Sequence, residues 1–257
     1  MPLVTTAELV RAAAQRSGGV AAFNVITLEH AEGILAGAQH AATPVILQVS
    51  ENTVAFHGTL RPLSAALVAL AGESGVPVSL HLDHVEAPHL WQQAAAARYS
   101  SVMVDGGALP YDRNVAVTAE ATSRLHDQGL AVEAELGYVG GKDSQVSDAH
   151  APGVRTDPGQ AAEFVGATGV DALAVAVGSS HAMTTRTAEL DLDLIAALRD
   201  AVPVPLVLHG SSGVPDTALR EAVRAGIVKV NIGTALNVAY TGAVRTVLAE
   251  HQDAVDP

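Results

Sequence analysis

The sequence predicts an α/β fold: a single-domain (β/α)8 TIM barrel spanning residues 1–257, with one extra helix at its N-terminus. Three observations predict it. Short β-prone runs and helix-like stretches alternate eight times with little chain between them. The strand runs are nearly continuous in apolar residues, as expected when helices cover a parallel sheet on the outside. No composition break, linker or low-complexity tract marks a second domain. A doubly wound open sheet alternates the same elements, and the count of eight favours the closed barrel.

The chain starts with Thr5 to Arg16, whose apolar residues recur at helical spacing and which stops at Ser17-Gly18-Gly19. The strand candidates are Val20–Ile26, Pro44–Ser50, Val76–Leu82, Ser100–Asp105, Ala131–Leu136, Ala172–Gly178, Pro205–His209 and Val228–Ile232. Helix candidates lie at Leu28–Ala41, Leu60–Glu73, Ala87–Arg98, Asn114–Gln128, Gln160–Thr168, Asp193–Asp200 and Pro215–Ala225. Thr234–His251 closes the chain as the eighth. One long irregular connection, Gly137 to Thr156, is rich in Gly, Asp and Ser and has the length of a lid.

The formal net charge is −13 and the pI about 5.1, with no Lys/Arg run, which excludes an electrostatic grip on nucleic acid. An anionic substrate must be held locally, by backbone amides, a metal or a few arginines. There is no cysteine, so disulfides and thiolate ligands are excluded. The N-terminus lacks a signal pattern and no apolar run approaches membrane-spanning length, so a cytoplasmic protein without a membrane partner is expected.

In such barrels chemistry sits at the carboxyl ends of the strands. This sorts the eleven histidines. His84 ends the third strand, His181 follows the sixth and His209 ends the seventh. Three neutral imidazoles with an open position suit catalytic zinc, or another divalent metal. Those at 30, 40, 89, 126 and 251 fall on helical stretches and are assigned to solvated surface; His57 and His150 are assigned to loops.

Asp83 directly precedes His84, close enough to exchange a proton with whatever the metal binds. Orienting a histidine is its alternative role. His81 shares a strand face with Asp83 and is read as a supporting donor rather than a ligand. Glu133 and Glu135 share one face of the fifth strand, with Glu135 nearer the tip, and Asp105 ends the fourth. Glu135 and Asp105 are candidate ligands for a second cation or an alternate metal position. Glu133 stays unassigned, with a surface salt bridge as its plain reading.

Gly210-Ser211-Ser212-Gly213 and Asn231-Ile232-Gly233-Thr234 each follow a strand and open a helix. Helix N-termini offer free amides to phosphate, and the seventh and eighth loops are the usual phosphate position in these barrels. Ordinary capping by Ser212 and Thr234 is the alternative. Metal, acid/base group and phosphate cup together point to chemistry beside the carbonyl of a phosphorylated sugar.

On these residues the chain resembles the class II, metal-dependent ketose-bisphosphate aldolases. One motif of that family is matched by Val78 to His84, the second by Val132 to Gly141. Further matches are Ala22 to Val25, Pro205 to Gly210 and Lys229 to Asn231. The resemblance implies zinc on His84, His181 and His209, with a monovalent cation allowed beside it. Asp83 is implied as the proton carrier, Asn231 as a catalytic and binding residue, and Asp143 as the carboxylate that returns a proton. Asn24, Ser50, Ala182, Gly210 to Ser212 and Asn231 to Thr234 are implied as substrate contacts. It also implies a homodimer or homotetramer. The expected substrate is fructose 1,6-bisphosphate first and tagatose 1,6-bisphosphate next, or a phosphorylated deoxy-keto-gluconate. Three positions depart from the family: Asp143 where glutamate is usual, Ala182 where glycine is usual, and Gly107 where serine is common. No arginine is evident for the distal phosphate, and Arg155 and Arg186 are the candidates.

Overall fold

The structure, a computed structural model, describes residues 3–137, 155–253 and 255. Helix α1 (Thr6–Gln15) begins at a reciprocal cap: Thr5 Oγ1 accepts from the Glu8 N–H at 3.2 Å, and Glu8 Oε2 accepts from the Thr5 N–H at 2.7 Å. Its apolar face, Leu9, Val10 and Ala13, packs on Val20, Ala22 and Ile46, which seats α1 against the start of the barrel strands.

Eight strands follow: β1 (Val20–Asn24), β2 (Val45–Ser50), β3 (Val78–Val85), β4 (Ser101–Val104), β5 (Ala131–Leu136), β6 (Ala172–Val175), β7 (Leu206–Leu208) and β8 (Ile227–Ile232). They pair in parallel in chain order. The barrel closes where β1 meets β8, with Val20 opposite Lys229 and Ala22 opposite Asn231. The outer helices are α2 (Leu28–His40), α3 (Glu51–His57), α4 (Arg61–Glu73), α5 (Pro88–Ala94), α6 (Tyr111–His126), α7 (Pro158–Thr168), α8 (Leu192–Ala201), α9 (Asp216–Ala225) and α10 (Thr234–Glu250).

Period-two geometry divides each strand between two environments. On β3, Val78, Leu80 and Leu82 join the large apolar layer between sheet and helices, while Ser79, His81 and Asp83 make polar contacts inside the barrel. On β5, Val132, Ala134 and Leu136 go outward, and Glu133 and Glu135 go inward. The apolar layer holds the fold, and the polar interior carries the chemistry.

Four features differ from the sequence reading. Residues 51–57 form α3, a helix that the sequence pattern does not predict. Ser50 Oγ caps it by accepting from the Thr53 N–H at 3.2 Å, and Gly58 ends it in the left-handed region at φ 72°. His57 is therefore the last residue of a helix, with Nε2 2.7 Å from the Ile26 carbonyl oxygen. His30 is buried rather than solvated, its ring 4.2 Å from that of Tyr240. Strand β3 continues through His84 and Val85, where its register with β4 shifts and His84 adopts φ 50°. Asp143 and His150 lie outside the described residues. Among the described residues no single helix is long and apolar enough to cross a membrane.

Candidate active site

His84 on β3, His181 after β6 and His209 after β7 each bring one ring nitrogen within 4.8 Å of the others. Their rings meet edge to face, with centroids 4.9 to 5.7 Å apart. Neighbouring carboxylates orient two of these rings. His84 Nδ1 lies 2.6 Å from Asp105 Oδ2 and donates to it. His209 Nε2 lies 3.0 Å from Glu133 Oε1 and donates to it.

Glu133 is 3% exposed, and its other oxygen accepts from Lys229 Nζ at 2.7 Å, itself 1% exposed. Burial works against the charge on Glu133, but Lys229 and the His209 hydrogen bond outweigh it and hold the carboxyl well below the usual range. The surface salt bridge expected for Glu133 is thus a buried one. Burial pushes the His209 pKa down, so the ring is neutral. Its Nδ1 keeps a lone pair, is buried, and makes no hydrogen bond among the described residues. A buried nitrogen lone pair among two further imidazoles is the donor set of a divalent cation, and these residues fit one.

Glu135 Oε2 stands 3.3 Å from that nitrogen, beside the three histidines. Asp105 stands one step behind them: Oδ2 holds His84 and Oδ1 accepts from the Gly107 N–H at 3.1 Å. His81 Nδ1 pairs with Ser101 Oγ at 2.7 Å, and Ser101 donates on to Thr6 Oγ1 of α1. Burial holds the His81 pKa at about 3, so it is neutral, with Nε2 3.9 Å from both Asp83 and Glu133.

Asp83, 2% exposed, is steered by three amides. Its Oδ2 accepts from Asn24 Nδ2 at 3.1 Å and Gln48 Nε2 at 3.4 Å, and its Oδ1 accepts from Asn231 Nδ2 at 3.3 Å. Burial works against its charge, but the positive field of the groups around it, with Lys229 the permanent cation among them, holds the carboxyl well below the usual range and keeps it ionised. Gln48 also donates to Asn24 Oδ1 at 2.9 Å. Gln48 was missed in the sequence, although it lies two residues before Ser50 and therefore on the same strand face. Lys229 was missed as the partner of Glu133 because the two are 96 positions apart.

A pocket of about 410 Å³ opens over Asp83, His84 and His181. One end is built by the loops after β7 and β8. Gly210 adopts φ 66°, and a methyl there would fall 2.6 Å from the Ser180 carbonyl. Ser211 Oγ donates to the Asn231 carbonyl at 2.5 Å, and Ser212 Oγ accepts from the Ala235 N–H at 3.0 Å, so the loops are tied together. Ser212 thereby caps α10 from the neighbouring loop, while Thr234 is the first helical residue. Asn24, Ser50, Gly233 and Thr234 line the pocket, and so does Ala182 at φ 59°; Ile232 stands behind it at the end of β8. Arg155 and Arg186 are engaged elsewhere: Arg155 donates to the Val177 carbonyl at 3.0 Å, and Arg186 pairs with Asp216.

Residues 4–257 match the family described as fructose-bisphosphate aldolase class-II. Among solved structures, the YdjI aldolase from Escherichia coli K12 is 34% identical with a TM-score of 0.83, over 98% of this chain and 88% of that one. A putative fructose-1,6-biphosphate aldolase from Coccidioides immitis is 30% identical with a TM-score of 0.83, over 93% of this chain and 85% of the other. A fructose-bisphosphate aldolase from Campylobacter jejuni shares the fold at 23% identity and a TM-score of 0.81, over 100% and 84%. With the match running over nearly its whole length, the chain belongs to the class II fructose-bisphosphate aldolase family.

Proposed function

We propose that the protein is a metal-dependent aldolase, with zinc as the metal, that reversibly cleaves a ketose phosphate into dihydroxyacetone phosphate and an aldehyde. The observation that carries this is the convergence of three imidazoles beside an ionised, amide-steered Asp83. A cation held by His84, His181 and His209 would polarise the substrate carbonyl and offset the charge that develops on it.

The remaining work belongs to the chain. The loops after β7 and β8, with the α10 N-terminus, hold the phosphate. Asp83 takes the proton of the C4 hydroxyl as the C3–C4 bond breaks, and the electron pair stays on the three-carbon fragment as an enediolate. Asn24, Gln48 and Asn231 fix Asp83 in place at the pocket wall. Asp143 is the expected donor of the returning proton. Family likeness puts fructose 1,6-bisphosphate and then tagatose 1,6-bisphosphate first, with a phosphorylated keto sugar acid behind them.

A Schiff-base mechanism on Lys229 is disfavoured, because its ammonium is buried and committed to Glu133. Release of dihydroxyacetone phosphate should vanish on chelation and return with zinc; activity that survives complete metal removal sinks the proposal.

A further inference from the structure

We infer that the distal half of the pocket takes an uncharged aldehyde, so that the substrate is a ketose 1-phosphate whose far end carries no second phosphate, in place of the bisphosphates that family likeness alone puts first. The inference rests on the aldolase reading above and names its substrate class.

The anion-holding features are gathered at one end of the pocket, in the loops after β7 and β8. Helix α3 follows β2, two strands round the barrel from β8, and supplies another wall of the pocket. Asn52 and Phe56 are four residues apart on that helix, hence on one side of it, and both line the pocket together with Ile26 from the loop after β1. Phe56 is 71% exposed, although it is the largest apolar side chain at the rim. Solvent exposure of a phenyl ring is unfavourable, and a carbon chain lying across it would relieve that.

The helix is held where it stands. His57 Nε2 meets the Ile26 carbonyl, Ser50 caps the first turn, and Glu51 Oε2 accepts from the Glu86 and Ala87 N–H groups at 2.7 and 3.1 Å. Among the described residues lining the pocket there is no lysine or arginine. The two arginines of the upper loops are tied down, Arg155 on Val177 and Asp191, and Arg186 on Asp216. A second phosphate dianion would therefore meet the Phe56 ring and the Asn52 amide, with no cationic side chain among the described lining residues, on a chain of net charge −13. A neutral end meets the Asn52 amide for its hydroxyls, and Phe56 and Ile26 for its carbons.

The reaction stays balanced. The C3–C4 bond breaks, its electron pair remains on the phosphorylated fragment, the C4 hydroxyl proton passes to Asp83, and the released aldehyde is unphosphorylated, as in glyceraldehyde.

The test runs the zinc-loaded full chain in the condensing direction, where the acceptor alone reports on the distal end and ketose stereochemistry does not interfere. Consumption of dihydroxyacetone phosphate is compared with glyceraldehyde and with glyceraldehyde 3-phosphate as acceptors. Glyceraldehyde should show a kcat/KM at least about tenfold higher. Equal use, or preference for the phosphorylated acceptor, overturns the inference while leaving the aldolase reading intact. Consumption with neither overturns both. The Asn52→Arg variant, at an exposed position, should move the ratio towards glyceraldehyde 3-phosphate by about tenfold. An unmoved ratio contradicts the placement of the distal end at α3.

Discussion

Replacing Lys229 by methionine removes the ammonium 2.7 Å from Glu133 Oε2 and leaves the side-chain volume almost unchanged. The carboxylate, 3% exposed, then retains the His209 N–H as its one hydrogen-bond donor among the described residues. Stranding a buried charge in this way costs about 3–5 kcal/mol, far more than loss of a surface pair. The damage should also reach His209, whose Nε2 proton is held by the same carboxylate, so zinc affinity should fall by roughly 10- to 100-fold. Urea denaturation of the metal-free protein measures the first effect, and competition with a chromogenic chelator the second. A double variant, Lys229→Met with Glu133→Gln, removes the stranded charge and keeps an acceptor for His209. It should recover most of the lost stability. A single variant destabilised by less than about 1 kcal/mol would refute the reasoning, because the pair would then behave as if solvated.

Three further outcomes follow from the same geometry. Asp83→Asn should lower kcat by roughly 10²- to 10⁴-fold while zinc content stays that of wild type, read by turnover and metal analysis on one preparation. His81 has a folded pKa of about 3, below its unfolded value, so between the two the unfolded chain binds more protons and His81 costs stability as pH falls from about 6.5 towards 3. His81→Asn should therefore show a shallower loss of Tm over that range than wild type; identical slopes would contradict the burial of a neutral ring. Helix α10 contributes no buried residue and exposes Val238, Val244, Val247 and Leu248, with Arg245 and Glu250 as its only charges. A nearly neutral apolar face on an acidic chain suits a second copy. Light scattering should report a dimer or larger, and Val244→Glu with Leu248→Glu should shift it to monomer.

Much of the site was readable because the barrel imposes a simple rule: ionisable residues at strand tips converge. His84, His181 and His209 are far apart in the chain, yet each sits at a strand end, and that placement alone brings them together. Apolar runs gave the eight strands for the same reason, since both faces of each are covered. What stayed hidden depends on partners rather than on pattern. Glu133 reads as a surface residue in the sequence because Lys229, which neutralises it, lies 96 positions later on β8. His30 reads as solvated because histidine on a helix usually is; it lies on the stripe of Ile34 and Ala38 and packs on Tyr240 of α10, 210 positions later in the chain. Helix α3 was missed because seven residues give too little periodicity to read, although the Ser50 cap and the Gly58 stop are both in the sequence. The role of Asp105 is not legible in the sequence, since only the 2.6 Å contact to His84 Nδ1 separates holding a ligand from being one.

The central claim is that His84, His181 and His209 hold a catalytic cation beside Asp83. It is tested most directly by titrating zinc into chelated protein while following bound metal and release of dihydroxyacetone phosphate from ketose phosphates in the same sample. The account predicts that activity rises in step with occupancy to about one ion per chain and is lost in His181→Ala, which cannot complete the three-imidazole set. Full activity in protein stripped of metal, or wild-type zinc binding by His181→Ala, would contradict it.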